Sequence, residues 1–122
     1  MTGAKTGFNV FYNKKNKYGN TKTKVGNMVF DSKKEAARFQ ELKMLELSGM
    51  IEELKTQVKF SICPKSGANK RERFYIADFV YKEGGHLIIE DVKSPVTRSN
   101  PVYSLKKALV QWQYPHYIFR ES

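Results

Sequence analysis

The sequence has one cysteine and two histidines in 122 residues. With Cys63 alone there is no disulfide framework and no thiolate metal site. His86 and His116 stand far apart, outside any zinc-ligand spacing. No apolar run approaches the length of a membrane span. The opening residues, MTGAKTGFNVFYNKK, lack the apolar segment of a signal peptide. A soluble protein of a reducing compartment, the cytoplasm, is therefore expected, with no membrane partner and no small-molecule cofactor. Acidic residues are scarce too: 12 Asp+Glu stand against 22 Lys+Arg, a net charge of +10. So large an excess on so short a chain favours a polyanionic partner, and nucleic acid leads. The bland alternative is that the lysines only keep a small protein soluble.

What is present is enough for one core. The length suits one domain, with apolar residues at 40% and aromatics at 13%. Residues 1–24, rich in Lys, Asn, Thr and Gly, have no period and read as a basic, flexible arm; residues 25–122 read as a single domain. Val25 to Phe30 suits a tight hairpin around Gly26-Asn27. Ser32 to Gly49 is the clearest helix: Ser32 as N-cap with Glu35 three residues on makes a capping box, and Gly49 is a good stop. Ala36, Phe39, Leu42, Met44 and Leu45 supply its apolar stripe.

Residues 57–62 alternate as a strand, and residues 64–73 form a polar, basic loop. Two strands follow in YIADFVYKEGGHLIIEDVK, Tyr75 to Lys93. A loop with two prolines leads to a second helix, residues 102–112, with Val102, Leu105, Leu109 and Trp112 on one side. Residues 117–120 close as a short strand. The order helix, three strands, helix, strand predicts an α/β layer with a mixed sheet. The first three strands form a meander, and the last helix crosses back to add the fourth.

The hairpin carries the chemistry. If Gly84-Gly85 is a two-residue turn, Glu83 pairs with His86, and counting back along both strands sets Asp78 opposite Asp91. A four-residue loop closed by Lys82 and Leu87 keeps that register; an odd-length loop or a bulge breaks it. Opposed side chains have Cβ atoms about 4.5–5.5 Å apart. Two carboxylates that close repel by roughly 3 kcal/mol at an effective dielectric of 20, which calls for something positive between them. Lys93, two residues past Asp91, points to the same face, and Glu90 to the other; a one-residue slip reverses that choice. Ile76, Val80, Leu87 and Ile89 share the face of the two aspartates, and the helix from Ser32 is expected to cover it. Glu35 then sits on the helix face that looks at the sheet, either as a third carboxylate or only as part of its capping box. Converging carboxylates without histidine or thiolate select a hard cation, Mg²⁺ or Mn²⁺. In a basic protein that points to a phosphodiester, with Lys93 serving the attacking water or the charge on phosphate. For Lys93 the plain alternative is a salt bridge to Asp91 or Glu90.

Asp78, a hairpin, then Asp91-Val92-Lys93, with a helical glutamate upstream and this element order, resembles the PD-(D/E)xK nuclease superfamily. That group includes type II restriction enzymes and archaeal Holliday-junction resolvases. FDSKKEAARFQELK, YIADFVY, IIEDVKS and the final LKKAL…IFRE look closer still to a phage-associated family of small endonuclease-like proteins, over roughly residues 17–121. Ala77 stands where the namesake proline would be, and that proline is not chemically needed.

The resemblance implies a restriction-endonuclease-like αβββαβ core with a mixed central sheet flanked by helices. It implies Glu35, Asp78, Asp91 and Lys93 as catalytic residues, and Asp78, Asp91, Glu35 and the Val92 carbonyl as Mg²⁺ or Mn²⁺ ligands. Gln57, at the start of its strand, is a looser candidate for the same site. The implied activity is a metal-dependent DNA endonuclease acting on branched or structured DNA such as Holliday junctions, in recombination. A phage protein of this kind would work in the bacterial cytoplasm, as a homodimer if it cuts two strands. Lys14, Lys15, Lys17, Lys22 and Lys24 of the arm, Lys70, Arg71 and Arg73 of the loop, and Lys106 and Lys107 of the second helix are the expected nucleic-acid contacts. The alternatives are a non-catalytic basic nucleic-acid-binding module on a degenerate nuclease fold, or a nickase or restriction-like phage nuclease.

Overall fold

The structure is a computed structural model and describes residues 8–9 and 22–122. The chain divides into two compact units, Met1–Met44 and Leu45–Ser122. In the first, β1 (Phe8–Asn9), β2 (Thr23–Val25) and β3 (Met28–Phe30) form an antiparallel sheet in that order. The expected Gly26-Asn27 turn joins β2 to β3, with Val25 paired to Met28 and Gly26 at φ +59°. A glycine at the first central position suits a two-residue hairpin. Of the stretch read as an arm, Lys14, Lys15 and Lys17 lie outside the described residues. Lys22 pairs with Asp31 at 3.0 Å, and Lys24 lies in β2.

Helix α1 (Lys33–Leu47) starts and stops where its caps dictate. The Glu35 N–H donates to Ser32 Oγ at 3.1 Å. At the other end Gly49 is left-handed at φ +84°, its N–H donates to Glu46 O, and the Met50 N–H to Leu45 O. That is a Schellman ending, which favours glycine at this position. Ala36 and Leu42 are buried as the stripe predicts, and Phe39 stacks on Phe30. Met44, expected in the stripe, is exposed.

The second unit holds β4 (Glu52–Cys63), β5 (Arg73–Glu83), β6 (His86–Asp91), the short helix α2 (Pro95–Arg98), α3 (Pro101–Gln113) and β7 (Tyr117–Glu121). The sheet order is β4-β5-β6-β7, antiparallel at the first two junctions and parallel at the last. The fold is mixed α/β with a mixed four-stranded sheet, as the element order predicts. Two elements were not legible: β4 starts at Glu52, well before Gln57, and α2 lies in the proline loop, capped by Ser94 Oγ on the Thr97 N–H.

The face of α3 is a correction. Val102, Leu105 and Trp112 are exposed, Trp112 at 77%, while Val110 is fully buried and Tyr103 and Leu109 are half-buried. The helix turns Val110 toward Phe60, Val80 and Ile89 in the core. Gln113 and Tyr114, at its end, bond the carbonyls of Ile62 and Ser61. These polar anchors and Val110, not the apolar stripe, set its rotation.

Candidate functional site

The hairpin register holds. Glu83 pairs with His86 across Gly84 (φ +58°) and Gly85 (φ +82°), and the ladder continues to Phe79 opposite Glu90. Two positive φ values in a two-residue loop are what a type I′ turn requires, and glycine supplies them without strain. The next pair in register is Asp78 and Asp91, where the side chains take over from the backbone ladder. The Asp78 N–H donates to Asp91 Oδ1 at 2.9 Å, and the Val92 N–H donates to Asp78 Oδ2 at 2.9 Å. The two carboxylates thus converge, each holding a backbone donor near the other's residue. Lys93 Nζ lies 3.7 Å from Asp78 Oδ2.

These backbone N–H dipoles, and Lys93 beside Asp78, offset part of the carboxylate charge. Two expectations change. The helix packed on the core that holds Val80 and Ile89 is α3, through Val110, where the sequence suggested α1. And Ile76 is 47% exposed, while Tyr75 and Ala77 share a core with Val80. A regular strand sets odd and even residues on opposite faces, so the alternation slips between Ala77 and Val80, at Asp78. On the neighbouring strand Thr56 pairs with Phe79 and Val58 with Ala77, which leaves Gln57 opposite Asp78. Gln57 has φ +53°, a left-handed conformation rare for a residue with a side chain. Backbone departures on both strands thus meet beside the carboxylate.

Asp91 has no exposed surface, and its Oδ2 has no hydrogen-bond partner. Burial pushes its carboxyl above the usual aspartate range. The Lys93 charge and the Asp78 N–H oppose that rise, and the nearby Glu121 carboxylate adds to it. An unpaired buried carboxylate oxygen costs upward of about 1–3 kcal/mol. A divalent cation is one way to satisfy it, and two carboxylates are as many as Mg²⁺ commonly takes from a protein beside phosphate and water. The Asp78–Asp91 pair fits such an ion. Among the described residues no group of three or more His, Cys, Asp or Glu is arranged to hold a metal. Glu35 is 6% exposed, at the first turn of α1, and belongs to the other unit. Val92 is buried at the end of β6.

Sequence reasoning missed Tyr103 and Glu121. The parallel pairing of β6 with β7 sets Glu121 beside Asp91. The Tyr103 hydroxyl donates to Glu121 Oε2, Lys107 Nζ lies 3.1 Å from the same oxygen, and Arg98 Nε is 3.9 Å from Oε1. Burial pushes the Glu121 carboxyl up, but the bonds from Tyr103 and Lys107 outweigh it and leave the carboxyl below its ordinary value. Tyr103 is pushed up by burial, by its bond to Glu121 and by the charge of Asp91, so it remains a protonated donor. No spacing rule announces these contacts; the parallel register creates them.

The expected nucleic-acid contacts divide. Lys70 and Arg71 are exposed on the loop before β5 and Arg73 is exposed at the strand's first position; Asn69 braces that loop through its Nδ2–H to Pro64 O at 2.6 Å. Lys106 is half-buried, and Lys107 is taken up by Glu121. No helix of the described residues is long and apolar enough to cross a membrane.

A family model described as protein of unknown function (DUF1064) matches residues 15–120. No curated protein and no solved structure matches the chain.

Proposed function

The chain belongs to the DUF1064 family, and because that description carries no function we propose one from the site: a divalent-metal-dependent DNA endonuclease. The observation that carries the reading is the buried, unpartnered Asp91 Oδ2 beside Asp78, with the Lys93 ammonium 3.7 Å from the second carboxylate. The order α1, β4, β5, β6, α3, β7 supports a restriction-endonuclease-like core, with α2 inserted before α3. Branched DNA such as a four-way junction is the substrate class that the sequence resemblance favours. So small a chain has little surface for reading base sequence. A homodimer would let two sites cut two strands.

Asp78 and Asp91 would hold Mg²⁺ or Mn²⁺, with the Val92 carbonyl as a further oxygen. The bound ion would neutralise phosphate charge and lower the pKa of a water. The chain does the rest. The backbone bonds from Asp78 and Val92 fix the carboxylates before substrate arrives. Lys93 presents its ammonium to the attacking water or to a non-bridging phosphate oxygen, where negative charge grows during attack. Lys70, Arg71 and Arg73 draw the phosphate backbone toward the protein.

The test is cleavage of a four-way junction, a splayed duplex, linear duplex and single-stranded DNA with Mg²⁺, Mn²⁺, Ca²⁺ or EDTA. Cutting with Mg²⁺ or Mn²⁺ that disappears in EDTA, in Asp78→Asn and in Lys93→Ala is the expected result. Salt-sensitive binding that persists in Asp78→Asn, with no cutting of DNA or RNA under any metal, would sink the reading in favour of a binding module.

A further inference from the structure

We propose that Tyr103 is a positioning residue for the Lys93 ammonium, a role that rests on the nuclease reading above. A lysine side chain is long and flexible, and one attraction does not fix where its charge sits. The Lys93 backbone is pinned by its N–H on Ser122 O at 3.2 Å, while the Ser122 N–H returns to Asp91 O at 2.9 Å. Its ammonium is 3.7 Å from Asp78 Oδ2, beyond an ordinary hydrogen bond. On another side it lies over the Tyr103 ring, 5.5 Å from the centroid. A cation that close to an aromatic face is attracted by the ring quadrupole. The carboxylate and the ring together confine the charge, while 22% of the side chain remains exposed.

Tyr103 is itself held at both ends. Its backbone sits in the first turn of α3, where the N–H donates to the capping Asn100 Oδ1 at 3.3 Å and Pro101 opens the helix. Its hydroxyl donates to Glu121 Oε2, the same oxygen that accepts from Lys107 Nζ at 3.1 Å. The ring is therefore a fixed floor. Glu121 lies beside Asp91 in the parallel register, so its anchor is built on the strand next to the carboxylate pair. Its carboxylate is occupied by Tyr103 and Lys107, so it acts through Tyr103 and is not assigned as a ligand.

Lysine ε-methylene protons above an aromatic face are moved upfield by the ring current, which gives a readout independent of cleavage. The ¹³C-labelled lysine spectrum of the whole chain, with Lys93 assigned through Lys93→Arg, should show them displaced. Tyr103→Phe keeps the ring and should keep the displacement; Tyr103→Met should abolish it. In the cleavage assay Tyr103→Phe should stay within about threefold, and Tyr103→Met should lose about tenfold in kcat with KM little changed. An undisplaced Lys93 signal in the wild type overturns the proposal whatever the variants do. A Tyr103→Met variant that cuts as well as a cutting wild type also overturns it and leaves the nuclease reading standing. A wild type that cuts nothing takes down the nuclease reading, and the positioning role with it.

Discussion

Glu90 and Asp91 are consecutive carboxylates on β6, both fully buried, on opposite faces of the same strand. Glu90 is satisfied at both oxygens: the Tyr81 hydroxyl donates to Oε1, and Ser122 Oγ donates to Oε2 at 2.8 Å. Arg120 binds the Tyr81 hydroxyl from behind at 3.1 Å and Glu83 at 3.0 Å. Asp91 holds one backbone N–H on Oδ1 and nothing on Oδ2. Equal burial with unequal bonding separates two uses of a buried charge. Glu90 ties the last strand into the sheet. Asp91 is left with capacity for a further partner at Oδ2.

The sharpest way to break that contrast is catalytic. Asp91→Asn should lower DNA cleavage by roughly a thousandfold, and Glu90→Gln by no more than about threefold. Equal losses would show that both carboxylates matter only for folding. Stability should rank them the other way. Glu90→Leu strands the Tyr81 hydroxyl and Ser122 Oγ and should cost about 3 kcal/mol in urea unfolding.

Metal should sharpen the distinction further. Mn²⁺ at about a hundred times its Kd should stabilise the wild type by roughly 2.7 kcal/mol and leave Asp91→Asn unmoved. Without metal, the same variant should gain about 1 kcal/mol at pH 7. The sign follows from burial. The folded carboxyl holds its proton to higher pH than the unfolded one, so native stability falls as pH rises from the ordinary aspartate value through the raised one. Asparagine removes that fall, and unfolding at pH 4 and pH 7 in EDTA measures it.

The smallest effect is alkaline. Tyr81 is pushed up to about 12 by burial, then by its bond to and the charge of Glu90. Its folded pKa exceeds its unfolded one, so its contribution is intact below about pH 10 and lost as pH rises through about 12. Tyr81→Phe should flatten that limb of the stability curve.

Much of the fold was legible because its signals are local. Ser32 and Gly49 mark the limits of α1, and Gly84-Gly85 fixes the hairpin register that counting gives as far as Phe79 opposite Glu90. The failures share a cause. Spacing identified the apolar stripe Val102, Leu105 and Trp112 on α3, but helix rotation is settled by what the other side bonds, and Val110, Gln113 and Tyr114 settled it. Alternation set Ile76 with Val80, but the slip at Asp78 separated them. That irregularity faces the left-handed Gln57, and no propensity rule predicts either.

Composition and local pattern determined by themselves a basic α/β chain with no disulfide, a glycine-turned hairpin, and two carboxylates opposed across it with a lysine two residues on. Each follows from backbone geometry over a few residues, where sequence distance and spatial distance nearly coincide. Only the tertiary structure decided that Asp91 has an oxygen without a partner while Glu90 has none. It also decided that Glu121 lies beside Asp91 and that the Tyr103 ring lies under Lys93. Those contacts depend on a parallel crossover that joins residues far apart in the chain, and on which donors burial leaves within reach.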